Sequence, residues 1–371
     1  MCRAKCQGIK SKPGKCKTQQ NQLIKLTVAM ELADPKKIWI NFMKFKILLA
    51  VGVTFFTSHT ALAKEAVLEN YANIAEAKYE DSLISVQVLQ KAVNNLISNP
   101  SAEALQAAKT AWLASRIPYQ QTEVYRFGNA IVDDWEGKVN AWPLDEGLID
   151  YVDPSYGGAT DENAYAVLNV IANEEIQLSG QQIDVSSITA KLLEETLHEA
   201  DEVESNVATG YHAVEFLLWG QDLNGHKPGA GERSWTDYGV ANICTNANCD
   251  RRGEYLKAAT DLLASDLAWM ADQWKKNGAA RAQLMADQDA GIMAILTGMG
   301  SLSYGEQAGE RMKLGVMLND PEEEHDCFSD NTYNSHYYDA LGIRNVYVGS
   351  YTRIDGSVVS GPSLSLSLIH I

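Results

Sequence analysis

The chain has 371 residues, a formal net charge of −17, and 46% hydrophobic against 21% charged side chains. The acidity lies after residue 63: eleven of the 31 Lys and Arg precede that point but only two of the 48 Asp and Glu, leaving 20 basic against 46 acidic side chains beyond it. A surface of that sign repels phosphate backbones and anionic lipid and draws cations, so nucleic-acid and membrane-surface roles are not expected.

Residues 43–63 read MKFKILLAVGVTFFTSHTALA, with two lysines, an apolar run over 47–56 and a small-residue end at Ala61-Leu62-Ala63. This is the pattern of a cleavable secretory signal peptide. Its apolar core is shorter than the roughly 20 residues that a transmembrane helix needs. Residues 1–42 are basic and aperiodic, and they read as an upstream extension from a mis-assigned start rather than as a zinc-binding segment built on Cys2, Cys6 and Cys16. At the other end, residues 363–371 form an apolar low-complexity tail, including His370, that reads as non-native.

In chain order, 65–97 is a long amphipathic helix with Leu68, Tyr71, Ala75 and Tyr79 at three- and four-residue steps. Asn99-Pro100-Ser101 breaks it, and Ser101 caps a second helix through Phe127 that Pro118 bends. Residues 133–160 are a Gly/Pro/Asp-rich loop. Helices are expected near 161–175, 187–200 and 207–219, then a long loop over 223–250, then helices near 251–277, 281–299 and 301–318. The stretch 345–353 is the one strand-like run. The chain is therefore predicted to be all-α, with an N-terminal bundle over 64–222, a connecting loop at 223–250 and a C-terminal bundle over 251–362. Cys244 and Cys249 are spaced to close a small disulfide loop in an oxidising compartment, leaving Cys327 over.

The sharpest chemical feature is GYHAVEFLLWGQD, 210–222. His212 and Glu215 are three apart, on one face of a helix, and can reach one ion; imidazole with carboxylate suits iron, zinc or manganese. Gly210 leaves room for another chain segment to approach. The alternative is a plain His–Glu hydrogen bond inside a buried helix. Two ligands do not complete a site, so other segments are expected to contribute. The first candidates are Glu123 and Asp145. Behind them stand Arg126, which can instead pair with Glu123, and His325, Asp326, Asp330 and His336 in EEEHDCFSDNTYNSH. His198 and His226 are expected in solvent. No H-E-x-x-H, G-x-S-x-G, P-loop or dinucleotide fingerprint occurs.

At Gly210, His212 and Glu215 the sequence resembles the imelysin family, with its G-x-H-x-x-E motif. The resemblance extends through RIPYQQTEVYRFG, WPLDEGLIDYV, CDRRGEYLKAATDLL and the 325–345 block, covering about 65–362. It implies two helical halves of similar design with the functional site between them, the second lacking its last helices after GPSLS, a periplasmic or outer-membrane-associated place and iron-responsive expression. It also implies a nominal peptidase label, which the missing H-E-x-x-H leaves without a base. Three functions follow: an exported binding protein of iron acquisition, taking a divalent metal or metal-bearing ligand and working with other envelope components; a metallopeptidase using His212 and Glu215; or a structural pair beside a partner-binding surface.

Overall fold

The computed structural model describes residues 35–160, 163–319 and 323–368, with side chains described from residue 63 to 366. The cysteines at 2, 6 and 16, most of the upstream extension, and His370 lie outside the described residues. From Ala63 onward the described chain forms one compact unit, while the described residues 35–62 fall in another. The 43–63 segment is helical in backbone. Among the described residues no helix is long and apolar enough to cross a membrane.

Helix α1 (Pro35–Ser98) carries the expected stripe: Leu68, Tyr71, Ala75, Tyr79, Val86, Leu89, Val93 and Leu96 are all buried. The α2 helix (Ala102–Gln120) starts where Ser101 Oγ accepts from Ala104 N at 3.1 Å. It ends two residues past Pro118, and a 3₁₀ turn at Glu123–Tyr125 replaces the expected continuation. Helices α3 (Ala130–Asn140) and α4 (Glu146–Ile149) then occupy part of the expected 133–160 loop.

The helix expected at 161–175 does not form. Asn169, Val170 and Ile171 donate their backbone N–H groups to the carbonyls of Gly147, Leu148 and Ile149, so these residues run beside α4 instead of coiling on themselves. They lead into an antiparallel hairpin, β1 (Glu175–Leu178) and β2 (Gln181–Asp184). Its two-residue turn, Ser179-Gly180, has positive φ at both positions, as a right-twisted hairpin requires. Ile176 and Leu178 point into the core and Glu175 and Gln177 outward, an alternation the sequence reading passed over. Helix α5 (Ala190–Leu192) follows and runs on as a π turn to Leu197.

Helix α6 (Gly210–Trp219) is buried along its whole length and packs on α2, α3 and the long α7 (Cys249–Trp274). Helices α8 (Ala279–Met285) and α9 (Gln288–Gly300) lead into a π-helical stretch, Ser301–Lys313, and α10 (Leu314–Leu318). Helix α11 (Thr332–Val348) lies against α2. The strand-like run is thus divided: 345–348 close α11, and Ser350–Thr352 (β3) pairs with Val358–Ser360 (β4) before α12 (Leu364–Leu368). Ser363 and Leu364, at the start of the expected non-native tail, are buried.

The fold is predominantly helical, as the sequence patterning predicts. The stretches 64–222 and 251–362 share one hydrophobic cluster, from Val67 to Leu364, so the boundary at 223–250 does not separate two cores. The reason is in the packing, since α2 is covered by α6 on one side and α11 on the other. Cys244 and Cys249 are disulfide-bonded.

Candidate metal centre

The centre is built on the first turn of α6. Gly210 has φ of +80°, and a Cβ there would lie 2.5 Å from the backbone oxygen of Val139, so only glycine admits this approach of α6 to α3. Two residues on, His212 is wholly buried, and its Nδ1 lies 2.9 Å from Oε2 of Glu215. The other oxygen, Oε1, accepts from Ser329 N at 2.9 Å and Ser329 Oγ at 2.6 Å. Both carboxylate oxygens are thus hydrogen-bonded, Oε2 to the His212 ring and Oε1 to Ser329. The expected His–Glu pair is present as a buried hydrogen bond, and Glu215 lies outside the group formed by His212, His325 and Asp326. The opposite ring nitrogen, His212 Nε2, is buried and has no hydrogen-bond partner.

The His212 ring lies close to the turn that precedes α11, 4.8 Å from the His325 ring. His212, His325 and Asp326 each offer one ligand atom, all within 4.8 Å of one another, and they are the one such group of three among the described residues. The His325 ring stacks on Trp142 at 5.7 Å. Its Nδ1 lies 3.3 Å from Asp326 Oδ1 but off hydrogen-bonding geometry. Asp326 is fixed on its other sides: Arg116 Nη2 donates to Oδ1 at 2.7 Å, while Asn331 Nδ2 (2.8 Å) and Ser335 Oγ donate to Oδ2.

The electrostatics suit cation capture. Burial pushes the His212 imidazolium pKa down to about 3, with Arg116 adding to the effect, so the ring is neutral and its lone pair free of a proton. Burial also lowers His325, helped by Arg311, His212 and Arg116. Burial opposes ionisation of Asp326, but Arg116 beside it outweighs this and holds the carboxyl below its usual range. Two neutral imidazoles and one carboxylate form a donor set for zinc, iron or manganese. With bonds near 2.1 Å, tetrahedral ligand atoms sit roughly 3.4 Å apart. Closing 4.8 Å to that distance takes a shift of about an ångström, within side-chain rearrangement.

The other candidates go elsewhere. Glu123 is buried and accepts from Arg311 Nη2 at 2.9 Å, while Arg311 Nη1 reaches Asp339 at 2.9 Å. Arg126 pairs with Asp133 at 3.1 Å and Glu136 at 3.3 Å, not with Glu123. Asp145 accepts from Tyr156 Oη (3.0 Å), Ser205 Oγ (2.7 Å) and Asn163 Nδ2, clamping its own loops together. Asp330 accepts from Gly229 N at 3.0 Å. His336 has a buried, unpartnered Nε2 but is not one of the three. His198, expected in solvent, is half-buried, with Nε2 at 3.0 Å from the Gly137 oxygen; His226 is exposed.

Arg116, Asn331, Ser329 and Ser335 were not identified from the sequence, and Asp326 was given no separate weight from its neighbours. The one available signal was Arg116 opening the RIPYQQ block on the apolar face of α2, a cation that needs a buried anion.

A helical protein with a buried two-histidine, one-aspartate cluster at the G-x-H-x-x-E helix is what fold and centre together define. The imelysin family profile matches residues 75–367, and the chain belongs to that family. Iron-regulated protein A of Synechococcus elongatus is 28% identical over 81 residues, 22% of this chain and 20% of the relative, so the match spans about a fifth of that protein. The crystal structure of a protein described as an iron-regulated protein A precursor, from Parabacteroides distasonis, shares the fold with a TM-score of 0.54 at 18% identity. That match covers 77% of this chain and 74% of the other.

Proposed function

We propose that this chain is an exported protein of iron acquisition that captures a transition-metal ion through His212, His325 and Asp326. The observation that carries the reading is a wholly buried His212 with an unpartnered Nε2, in a group where His212, His325 and Asp326 each offer a ligand atom within 4.8 Å of the others. A buried polar nitrogen without a partner costs about 1–3 kcal/mol, which a ligand at that position offsets. Iron is the favoured cargo because the similar proteins are described as iron-regulated, and export follows from the 43–63 segment. Glu215 holds His212 in one tautomer and direction, as outer carboxylates do behind metal-bound imidazoles. Hydrolysis would need a free general base next to a metal-bound water, and both Glu215 oxygens are already engaged.

Metal content after equilibration with iron, zinc or manganese, measured by mass spectrometry, tests this directly. About one ion per chain is expected in the wild type and none in His212→Ala or Asp326→Ala. A folded wild type without metal would overturn the reading.

A further inference from the structure

The His212–His325–Asp326 group is one end of a larger buried set of charges. Arg116 Nη2 donates to Asp326 Oδ1 at 2.7 Å, Arg116 Nη1 donates to Asn140 Oδ1 at 2.7 Å, and Asn140 Nδ2 donates to Glu136 Oε1 at 3.2 Å. All four side chains are at most 5% exposed, so a continuous run of hydrogen bonds leads from Asp326 to Glu136 on α3. At its far end Glu136 Oε2 meets Arg126 at 3.3 Å. Arg126 is a quarter exposed and pairs also with Asp133 and Glu306. Glu136 thus stands between the buried group and solvent.

This interior holds more acid than its cations answer. Five buried carboxyls are linked electrostatically: Glu136 with Glu123, Glu123 and Asp326 with Asp339, and Asp326 with Glu215. Two buried guanidiniums, Arg116 and Arg311, stand against them, and Arg126 adds a third charge from the edge. Burial keeps His212, His325 and His336 neutral, and Lys78 gives its amine to the carbonyls of Gln121 and Gly342. Ionising all five carboxyls would leave buried charge uncompensated, which is costly, so part of this acid is kept as protons. Glu136 faces Glu123 and Arg126 from the 3₁₀ turn and the residue after it, Arg311 from the π-helical stretch, and the phenols of Tyr79 and Tyr119. Burial and Glu123 outweigh the two guanidiniums and push its carboxyl up to about 7. A cation on Asp326 draws on the carboxylate that otherwise answers Arg116, and Glu136 is the next carboxyl along that run of bonds. We infer that Glu136 carries a proton while the centre is empty and gives it up to solvent when the cation binds, making capture an exchange of cation for proton. The inference rests on the metal reading above and adds its regulation: capture tightens as pH rises through neutrality.

Zinc affinity of the wild type and Glu136→Gln, measured by dye competition across pH 5.5 to 8, tests the exchange. The variant keeps the shape and an acceptor for Asn140 but cannot ionise. The ratio of wild-type to variant affinity is expected to climb with pH, from near one at pH 5.5 to about fivefold or more at pH 8. Calorimetry in two buffers of different ionisation heat counts the protons released. The wild type should release about a third to a half of a proton more than the variant at pH 7, and no more at pH 8.5. Arg126→Gln removes a charge that favours ionised Glu136, so it should move the pH dependence of zinc affinity upward. A purely structural role for Glu136 would lower affinity by one factor at every pH. A ratio that does not change with pH, equal proton release at pH 7, or a pH dependence that Arg126→Gln leaves in place overturns the exchange while the metal reading stands. Failure of zinc to bind the folded wild type overturns both.

Discussion

Arg116 on α2 and Asp326, in the turn before α11, meet at 2.7 Å with both side chains wholly buried, joining residues 210 positions apart in sequence. The pair ties α2 to the turn that carries His325, so the centre and the interior of the fold depend on the same contact. Replacing Arg116 with methionine leaves a buried, uncompensated carboxylate. The expected loss is about 3–5 kcal/mol in urea unfolding, with Arg116→Met/Asp326→Asn lying closer to the wild type than Arg116→Met alone. A single-variant loss under about 1 kcal/mol would show that the pair does not compensate itself as described.

On the proposed metal reading Glu215 acts through His212, so its variants should weaken binding without changing stoichiometry. Competition titration against a zinc-binding dye should show Glu215→Gln losing affinity by about 10- to 100-fold while still reaching one ion per chain. His212→Ala should bind none at that site. If Glu215→Gln abolishes stoichiometric binding as His212→Ala does, then Glu215 is itself a ligand.

The buried neutral histidines predict acid sensitivity. His212 has a folded pKa of about 3, against about 6.5 for an unfolded histidine. As pH falls below 6.5 the unfolded chain takes up a proton that the folded ring refuses, so stability is lost between pH 6.5 and 3. At pH 5.5 the loss from His212 is about 1.4 kcal/mol. Glu136 opposes it: burial and the nearby Glu123 push its carboxyl up to about 7, so the fold gains from that group as pH falls from 7 towards 4.5. Comparing His212→Gln with the wild type cancels the Glu136 contribution. The variant should lose less stability between pH 7.5 and 5.5, and equal losses in the two proteins would refute a neutral buried His212.

Gly210→Ala tests the approach of α6 to α3. A side chain at φ of +80° is strained, and the new Cβ would meet Val139 O at 2.5 Å, a backbone atom with little room to yield. Together these should cost about 2–4 kcal/mol and displace His212, lowering metal affinity as well as the urea midpoint. A variant as stable as the wild type would mean that the contact is looser than described.

Much of the helical order was legible because apolar residues at three- and four-residue steps mark a buried helical face, as at Leu68, Tyr71, Ala75 and Tyr79. The segment at 163–173 was not, because its backbone donors satisfy themselves on α4, a partner that local periodicity does not encode. The 175–184 hairpin was legible in principle, since Ser179-Gly180 between short alternating runs is a turn signal.

At the centre, the sequence by itself determined that His212 and Glu215 share a helix face, and the apolar FLLW run after them marks the helix as buried, which raises the cost of leaving the pair unsatisfied. It also marked Gly210 as a point of close approach. Only the tertiary structure decided that Glu215 answers to Ser329, that Glu123 goes to Arg311, and that Asp145 belongs to its own loops. It also decided that His325 and Asp326, more than a hundred residues on, come within 4.8 Å of His212. Periodicity along one helix sets which side chains turn inward, but which inward groups meet depends on how α2, α6 and the turn before α11 pack, and that packing is a property of the whole core.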